Sequence, residues 1–154
     1  MPASVLKLSM ISGSFEYDSE TSLTAFAEIL ERSHPVQVTL NTYQSEHDKI
    51  SLKSIETTDV LLIFTRRIET VGEELDRIRD YCAQGRPVLA IRTASHGFQN
   101  WLNFDQEVLG GNYNMHWDHG PKAHVKFETD ALDHPLLQGI TEFSSSGSLY
   151  RNDP

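Results

Sequence analysis

Four side chains that could do chemistry stand within five residues of one another: Arg92, Thr93, Ser95 and His96. They follow directly after the apolar run "PVLAI" at 87–91. An arginine and hydroxyls can hold a carboxylate, a phosphate or a developing oxyanion, and an imidazole can move a proton near neutral pH. Neighbouring side chains ordinarily point apart, so adjacency alone does not make Ser95 and His96 a nucleophile–base pair. The alternative is a polar turn that caps a helix with Thr93 or Ser95.

Two further polar segments follow the first and third apolar runs of the chain. The segment "SGSFEYDSE" carries Ser14, Glu16 and Asp18, and a pair of arginines, Arg66 and Arg67, follows "VLLIF". Guanidinium groups there could bind an anionic ligand with forked hydrogen bonds, or one could hold the acidic loop in place. Glu16, Tyr17 and Asp18 of this loop could equally orient the arginine after the fourth strand, or Asp18 could cap the first helix.

Hydrophobic periodicity predicts the elements that must position these segments. The pattern indicates strands at 5–11, 36–40, 60–64, 87–91 and 123–127, and helices at 19–33, 71–84 and about 98–109, with Ser19 as the first N-cap. Strands that alternate with helices favour an α/β fold, here a flavodoxin-like three-layer sandwich around a mostly parallel, doubly wound sheet. Ligands bind such sheets outside the carboxyl ends of the strands, where the three polar segments meet.

Composition limits the classes of function. The 154 residues predict a single domain, and the net charge of −9 argues against partners that are nucleic acids or anionic membranes. No apolar run approaches the roughly 20 residues that span a bilayer, and no signal peptide is evident. The lone Cys82 lies on the apolar face of a predicted helix, which indicates a core thiol rather than a nucleophile. We expect a cytoplasmic protein, although a removed signal peptide stays open.

The remaining histidines predict structural roles. "MHWDHG" places His116 and His119 three residues apart with Asp118 between them, but a metal site needs three or four convergent ligands. We therefore expect a structured loop and neither a metal nor a cofactor. His134 precedes Pro135, and we expect it to have a structural role, such as holding a backbone carbonyl group.

Five sequence blocks, taken in order, resemble the ThuA-like (trehalose-utilisation) family of the class I glutamine-amidotransferase-like superfamily. They are "GRPVLAIRTASHGFQNW", "EVLGGNY", "MHWDHG", "DHPLLQGI" and "SLYRN", and together they run over nearly the whole chain. The resemblance implies a flavodoxin-like sheet and a role in the metabolism of trehalose or keto-sugars. In the amidotransferases a cysteine occupies about the position of Arg92, where ThuA-like relatives commonly have histidine. The resemblance therefore implies no glutaminase activity through a thiolate.

Other residues match the family one by one. His116 matches the histidine after the Gly-Gly helix end, and residues 134–135 match a His-Pro pair. Tyr150 matches the tyrosine of an acidic block, but Gly147 and Ser148 stand where the family has two acids. Such a domain usually continues with another strand pair and a closing helix, so we expect either a compact variant or a truncated chain.

Two functions follow from these residues. In the first, an enzyme acts on a sugar-derived substrate, with His96 and His116 as acid or base and Arg92 holding negative charge. The residues expected to bind the substrate are Ser14, Glu16, Arg66, Thr93, Ser95 and Tyr150. In the second, the domain binds a small molecule or serves a structural role and has lost the amidotransferase nucleophile. Convergence of the two histidines and Arg92 on one cavity would favour the enzyme, and separate pairs would favour binding. A homo-oligomer is compatible with either function.

Overall fold

The computed structural model describes residues 4–117, 120 and 122–153. The chain forms two compact units, of which the first ends at Gly111 and the second begins at Asn112. The first unit is built on a four-stranded parallel sheet with the strand order β2-β1-β3-β4. Its strands are β1 (Leu6–Gly13), β2 (Val36–Thr42), β3 (Val60–Thr65) and β4 (Val88–Ala90), and its helices are α1 (Ser19–Ser33) and α2 (Glu73–Ala83). The predicted α/β class is confirmed in this unit.

Helix α1 covers one face of the sheet because its apolar residues recur at helical spacing. Leu23 is buried against Leu8 and Met10 of β1, and Ala27 and Leu30 pack beside them. The predicted N-cap is wrong, since Ser19 is the first helical residue. Asp18 occupies the cap position without a capping side-chain bond. Helix α1 therefore depends on tertiary packing and on the loop before it.

The opposite face carries α2, as alternation along the strands requires. Ile11 and Ile63 of the sheet share a buried cluster with Ile78 and Tyr81 of the helix. Burial raises the pKa of the half-buried Cys82 thiol to about 11, so the sulfur stays protonated at neutral pH. The expectation of a core thiol agrees with this environment.

The helix predicted at about 98–109 is wrong for most of its length. Only the stretch that ends in the π-helical turn Asp105–Leu109 is helical; Phe98 forms an isolated parallel bridge with Ile68, and turns at 99–100 and 102–103 follow it. The apolar spacing that suggested a helix belongs to three aromatic rings that pack on one another. The centroid of Phe104 lies 5.1 Å from that of Phe98 and 5.0 Å from that of Trp101. Intervening asparagines favour turns over helix, and aromatic packing then decides the conformation.

The second unit contains two antiparallel strand pairs. Strand β5 (Tyr113–Trp117) pairs with β8 (Leu149–Asn152), and β6 (Lys122–Val125) pairs with β7 (Phe143–Ser146). Strand β6 corresponds to the strand predicted at 123–127. Among the described residues, no helix is both long and apolar enough to cross a membrane.

Candidate functional site

The carboxyl ends of β1, β3 and β4 deliver three polar segments that are joined through their backbones. We call residues 14–18, 65–68 and 92–97 together the rim. The N–H of Arg66 donates to the carbonyl of Gly13 at 2.9 Å, and the N–H of Arg67 donates to the carbonyl of His96 at 3.0 Å. Strands β1 and β3 are neighbours although β2 separates them in sequence, so the strand order reverses between them. Parallel sheets bind ligands at such a position.

Each segment of the rim holds one non-glycine residue in the left-handed conformation. The φ angles are 46° at Asp18, 54° at Arg67 and 48° at Arg92. L-residues pay on the order of 1 kcal/mol or more in this region, and such strain concentrates at functional sites. Arg92, two residues beyond β4, thus stands at a strained corner of the backbone.

A buried pair of hydroxyl groups ties the first segment of the rim to the third. The Oγ of Ser14 lies 2.9 Å from the Oγ1 of Thr93, and these residues are only 0% and 2% exposed. The Oγ of Ser19 accepts a hydrogen bond from the backbone N–H of Ser14 at 2.9 Å. Ser14 and Thr93, both predicted to bind substrate, are thus placed beneath the surface, where they fix the geometry of the rim.

The exposed Arg92 side chain rests on Tyr17. Its Nη2 donates to the Tyr17 hydroxyl at 3.1 Å, and its guanidinium carbon lies 4.5 Å from the centroid of the ring. Tyr17 in turn stacks on Phe64 of β3, with 6.5 Å between ring centroids. The loop after β1 therefore orients the arginine that follows the fourth strand, as one sequence interpretation proposed. A cation–π contact at an exposed position contributes about 0.5–1 kcal/mol.

Arg66 forms the structural ion pair that the sequence left open. Its Nε lies 3.2 Å from a carboxylate oxygen of Glu16, and both side chains are partly exposed. Exposed ion pairs of this kind contribute about 1 kcal/mol or less, so a ligand carboxylate of better geometry could replace the partner.

Ser95 and His96 contact each other, contrary to the expectation that neighbouring side chains point apart. Both lie in a 3-10 turn at Arg92–His96, and the Ser95 Oγ is 3.0 Å from the His96 Nδ1. Burial lowers the pKa of His96, and the positive charges of Arg67 and Arg66 lower it further. The imidazole is therefore neutral at pH 7 and retains one ring nitrogen able to accept a proton.

Sequence reasoning missed two buried polar residues, Thr65 within the rim and Asp105 outside it. Thr65, at the end of β3, is fully buried, and its hydroxyl has no hydrogen-bond partner among the described residues. A Cβ at Gly97 would lie 2.4 Å from that hydroxyl. Asp105 is 7% exposed and contributes a negative charge that acts on His96. The position of Thr65 after an apolar strand was the one signal in the sequence.

Two predicted site residues lie in the second unit. His116 in β5 pairs with Tyr150 in β8. The centroid of the Tyr150 ring lies 4.6 Å from that of the Tyr113 ring. Asp118 and His119 of the same loop lie outside the described residues. Within the described part of the chain, no group of three or more candidate ligands is placed to hold a metal.

His134 has the structural role that the sequence predicted, although its partner is not a carbonyl group. Its Nδ1 accepts a hydrogen bond from the backbone N–H of Leu136 at 3.2 Å and caps the 3-10 turn Pro135–Leu137. The ring therefore binds an amide group rather than a carbonyl group.

Two solved structures share this fold. One is a protein from Bacteroides uniformis, provisionally named ThuA-like, with a TM-score of 0.73 and 16% identity over 100% of this chain. The other, from Parabacteroides merdae and named in the same way, has a TM-score of 0.66 and 16% identity over 96% of this chain. The chain spans 64% and 63% of their lengths, which is less than two thirds of each. No family model and no curated protein matches the sequence.

Proposed function

We propose that this chain is a ThuA-like protein that binds a small sugar-derived molecule at the rim. Two independent lines support the family: the ordered sequence blocks, and a fold shared over the whole chain with a protein that bears the same name. We also propose that the sheet belongs to the flavodoxin-like class, in which helices cover both faces of a doubly wound sheet. The strand order β2-β1-β3-β4 supports this, because flavodoxin-like sheets begin with it.

The chemistry of the rim favours a ligand with a carboxylate or an enolate-like oxygen. The exposed Arg92 offers a planar fork of donors, already oriented by Tyr17, and Arg66 can add a second guanidinium group. The neutral imidazole of His96 can share hydrogen bonds with sugar hydroxyls without adding charge. Oxidised sugars, such as sugar acids and keto-sugars, present this combination of an anionic or carbonyl oxygen with several hydroxyl groups.

The observation that carries binding is the exposed guanidinium group of Arg92, which the ring and hydroxyl of Tyr17 hold at the rim. Arg66, after the neighbouring strand β3, pairs with Glu16 through partly exposed side chains, and a ligand carboxylate could replace that partner. Two guanidinium groups at one edge of the sheet suit recognition of an anionic guest.

A second candidate function is transformation of the same ligand, with His96 as general base. The lowered pKa of His96 favours it, because a neutral imidazole can accept a proton next to an acidic carbon of a keto-sugar. The test is turnover of any bound sugar, followed by NMR, in wild type and in His96→Gln. Turnover that the variant retains would assign the chemistry elsewhere.

Binding is tested by thermal unfolding with a panel of keto-sugars, sugar acids and disaccharides. A ligand at a hundredfold excess over its Kd stabilises the folded state by about 2.7 kcal/mol. We expect Arg92→Ala to abolish this stabilisation. Arg32→Ala is the matched control, because it removes an exposed arginine at the C-terminal end of α1. A panel without any stabilising member, or a shift that Arg92→Ala retains, would contradict the proposal.

A further inference from the structure

A cavity of about 400 Å³ lies beside the loops that follow β2 and β3, outside the rim. Its volume falls near the lower end of the range of about 300–1,000 Å³ that small-molecule sites occupy. The residues that line the cavity all belong to the first unit. They are His47, Lys49, Glu69, Val71, Gln99 and Asn100.

Hydrogen bonds hold the three chain segments around this cavity in fixed positions. The N–H of Glu69 donates to the carbonyl of Glu46 at 2.7 Å, which ties the segment after β3 to the loop after β2. The N–H of Gln99 donates to the carbonyl of Ile68 at 2.9 Å and ties the third segment to the second. Within the loop after β2, the Asp48 carboxylate accepts bonds from two backbone N–H groups and a hydroxyl of the same loop. The cavity is therefore preorganised, which reduces the entropy cost of binding a guest.

Two side chains of the cavity are oriented by the protein and keep a second polar atom for a guest. The His47 Nδ1 lies 2.8 Å from a carboxylate oxygen of Glu69, which leaves Nε2 as the other polar atom of the ring. The amide nitrogen of Asn100 donates to the Thr70 carbonyl at 3.3 Å, which leaves the amide oxygen as an acceptor. The buried Tyr43 hydroxyl, 2.6 Å from the Thr70 Oγ1, holds that residue in place.

The groups that remain for a guest combine uncharged donors and acceptors with an apolar surface. The side-chain amide of Gln99 lines the cavity and supplies both donors and an acceptor. A hydroxyl group also donates and accepts, so a guest with several hydroxyls matches these amide and imidazole groups. Val71, which is 53% exposed, adds an apolar surface for the C–H groups of such a guest.

The charges around the cavity argue against an anionic guest. Lys49 is a cation of the lining, but three carboxylates lie close enough to act on His47, and they belong to Glu69, Glu46 and Asp48. The rim, by contrast, presents two guanidinium groups. The carboxylates of Glu69 and Asp48 already accept hydrogen bonds from the protein, so a cationic guest gains little from them. An uncharged guest avoids the cost of desolvating a charge.

We propose that this cavity is a second binding site, which takes an uncharged polyol of the size of one sugar ring. The hydroxyl groups of the guest bond to the Gln99 amide, the Asn100 amide oxygen and the His47 Nε2. The C–H face of the guest lies on Val71. This inference goes beyond the proposed function and does not depend on it, because no residue of the rim lines the cavity.

The test is a titration of the whole chain with glucose and with myo-inositol, followed by the NMR signals of the His47 ring. We expect a saturable shift of these signals with at least one of the two probes. Gln99→Leu removes donors and an acceptor, and it should weaken this binding about three- to tenfold. Gln84→Leu is the matched control, because Gln84 is an exposed glutamine at the C-terminal end of α2 and does not line the cavity. It should leave the affinity unchanged.

A second variant tests the carboxylate that orients His47. Glu69→Gln preserves the length of the side chain but removes its charge, so the pKa of His47 and the affinity for the probe should both fall. Gluconate serves as the anionic comparison. The absence of a saturable shift at His47 with either uncharged probe would overturn the proposal. So would tighter binding of gluconate than of both uncharged probes at His47, full affinity in both cavity variants, or an equal loss of affinity in Gln84→Leu and Gln99→Leu.

Discussion

The left-handed conformation of Arg92 predicts an inverted order of stability between two substitutions. Arg92→Ala and Arg92→Gly both lose the contact with Tyr17, so that loss cancels when they are compared. They differ in the backbone, because alanine retains the cost of φ = 48° and glycine does not. We therefore expect the glycine variant to be the more stable, the reverse of the usual order.

The size of the difference follows from two opposing quantities. Alanine in the left-handed region costs about 1–2 kcal/mol relative to its preferred conformation. Glycine gives back about 0.4–1 kcal/mol through the greater freedom of its unfolded chain. The net advantage of glycine is about 0.5–1 kcal/mol, which is several tenths of a molar in the urea midpoint for an unfolding slope of about 1–3 kcal/mol per molar.

The assay is urea unfolding followed by circular dichroism at 222 nm, because both α-helices of the described chain lie in the first unit. Arg32, in the last turn of α1, supplies the control. There Arg32→Gly should be less stable than Arg32→Ala, by at most about 1 kcal/mol, since both occupy ordinary helical geometry. If alanine is as stable as glycine at position 92, Arg92 does not carry the strain that its φ angle implies.

Three further predictions concern the rim and the core. Ser14→Ala should lower the free energy of unfolding in urea by about 1–3 kcal/mol, because it leaves the buried Thr93 hydroxyl without this partner. The double variant with Thr93→Val should lose less than the sum of the two single effects. Strictly additive losses would argue against a coupled pair. Gly97→Ala should cost about 1–3 kcal/mol, because its methyl group meets a hydroxyl at the end of β3, and an unchanged melting temperature would refute the close approach. The pKa of His96 in the folded state lies below its unfolded value of about 6.5. Its contribution to stability is therefore present above pH 6.5 and declines as the pH falls through the folded pKa. NMR titration of His96 should give a midpoint below 6.5, and His96→Gln should flatten the acid side of the stability profile.

Periodicity predicted most of the first unit because its strands are continuous apolar runs bounded by turn residues. The run at 60–64 appears as β3, and the helix at 19–33 appears with the same limits. The helix prediction for 98–109 was wrong because three aromatic residues, at spacings compatible with a helix, pack on one another instead. The hydrophobic periodicity of a sequence carries no information about tertiary contacts of this kind.

The position of the candidate site could be predicted from the sequence, but the contacts among its side chains could not. Ligands bind parallel sheets at the carboxyl ends of the strands, and this rule predicted that the three polar segments lie at one edge. It needs only strand order and direction. Which side chains pair within them depends on a few backbone angles, such as φ = 48° at Arg92, and on burial. Ser14 was therefore assigned to substrate, whereas the structure buries its side chain. The contact between Ser95 and His96 depends on the tight turn that holds them.

The strand order also has a consequence for synthesis on the ribosome. Strand β1 is made first but lies in the middle of the sheet, so its fully buried Met10 and Ile11 have a neighbour on both sides only after Thr65 has been made. The helix that covers Ile11 comes later still. We expect the nascent chain to expose this apolar strand until α2 has been made at Ala83, which would make chaperone capture of short arrested chains a direct readout of how the sheet assembles.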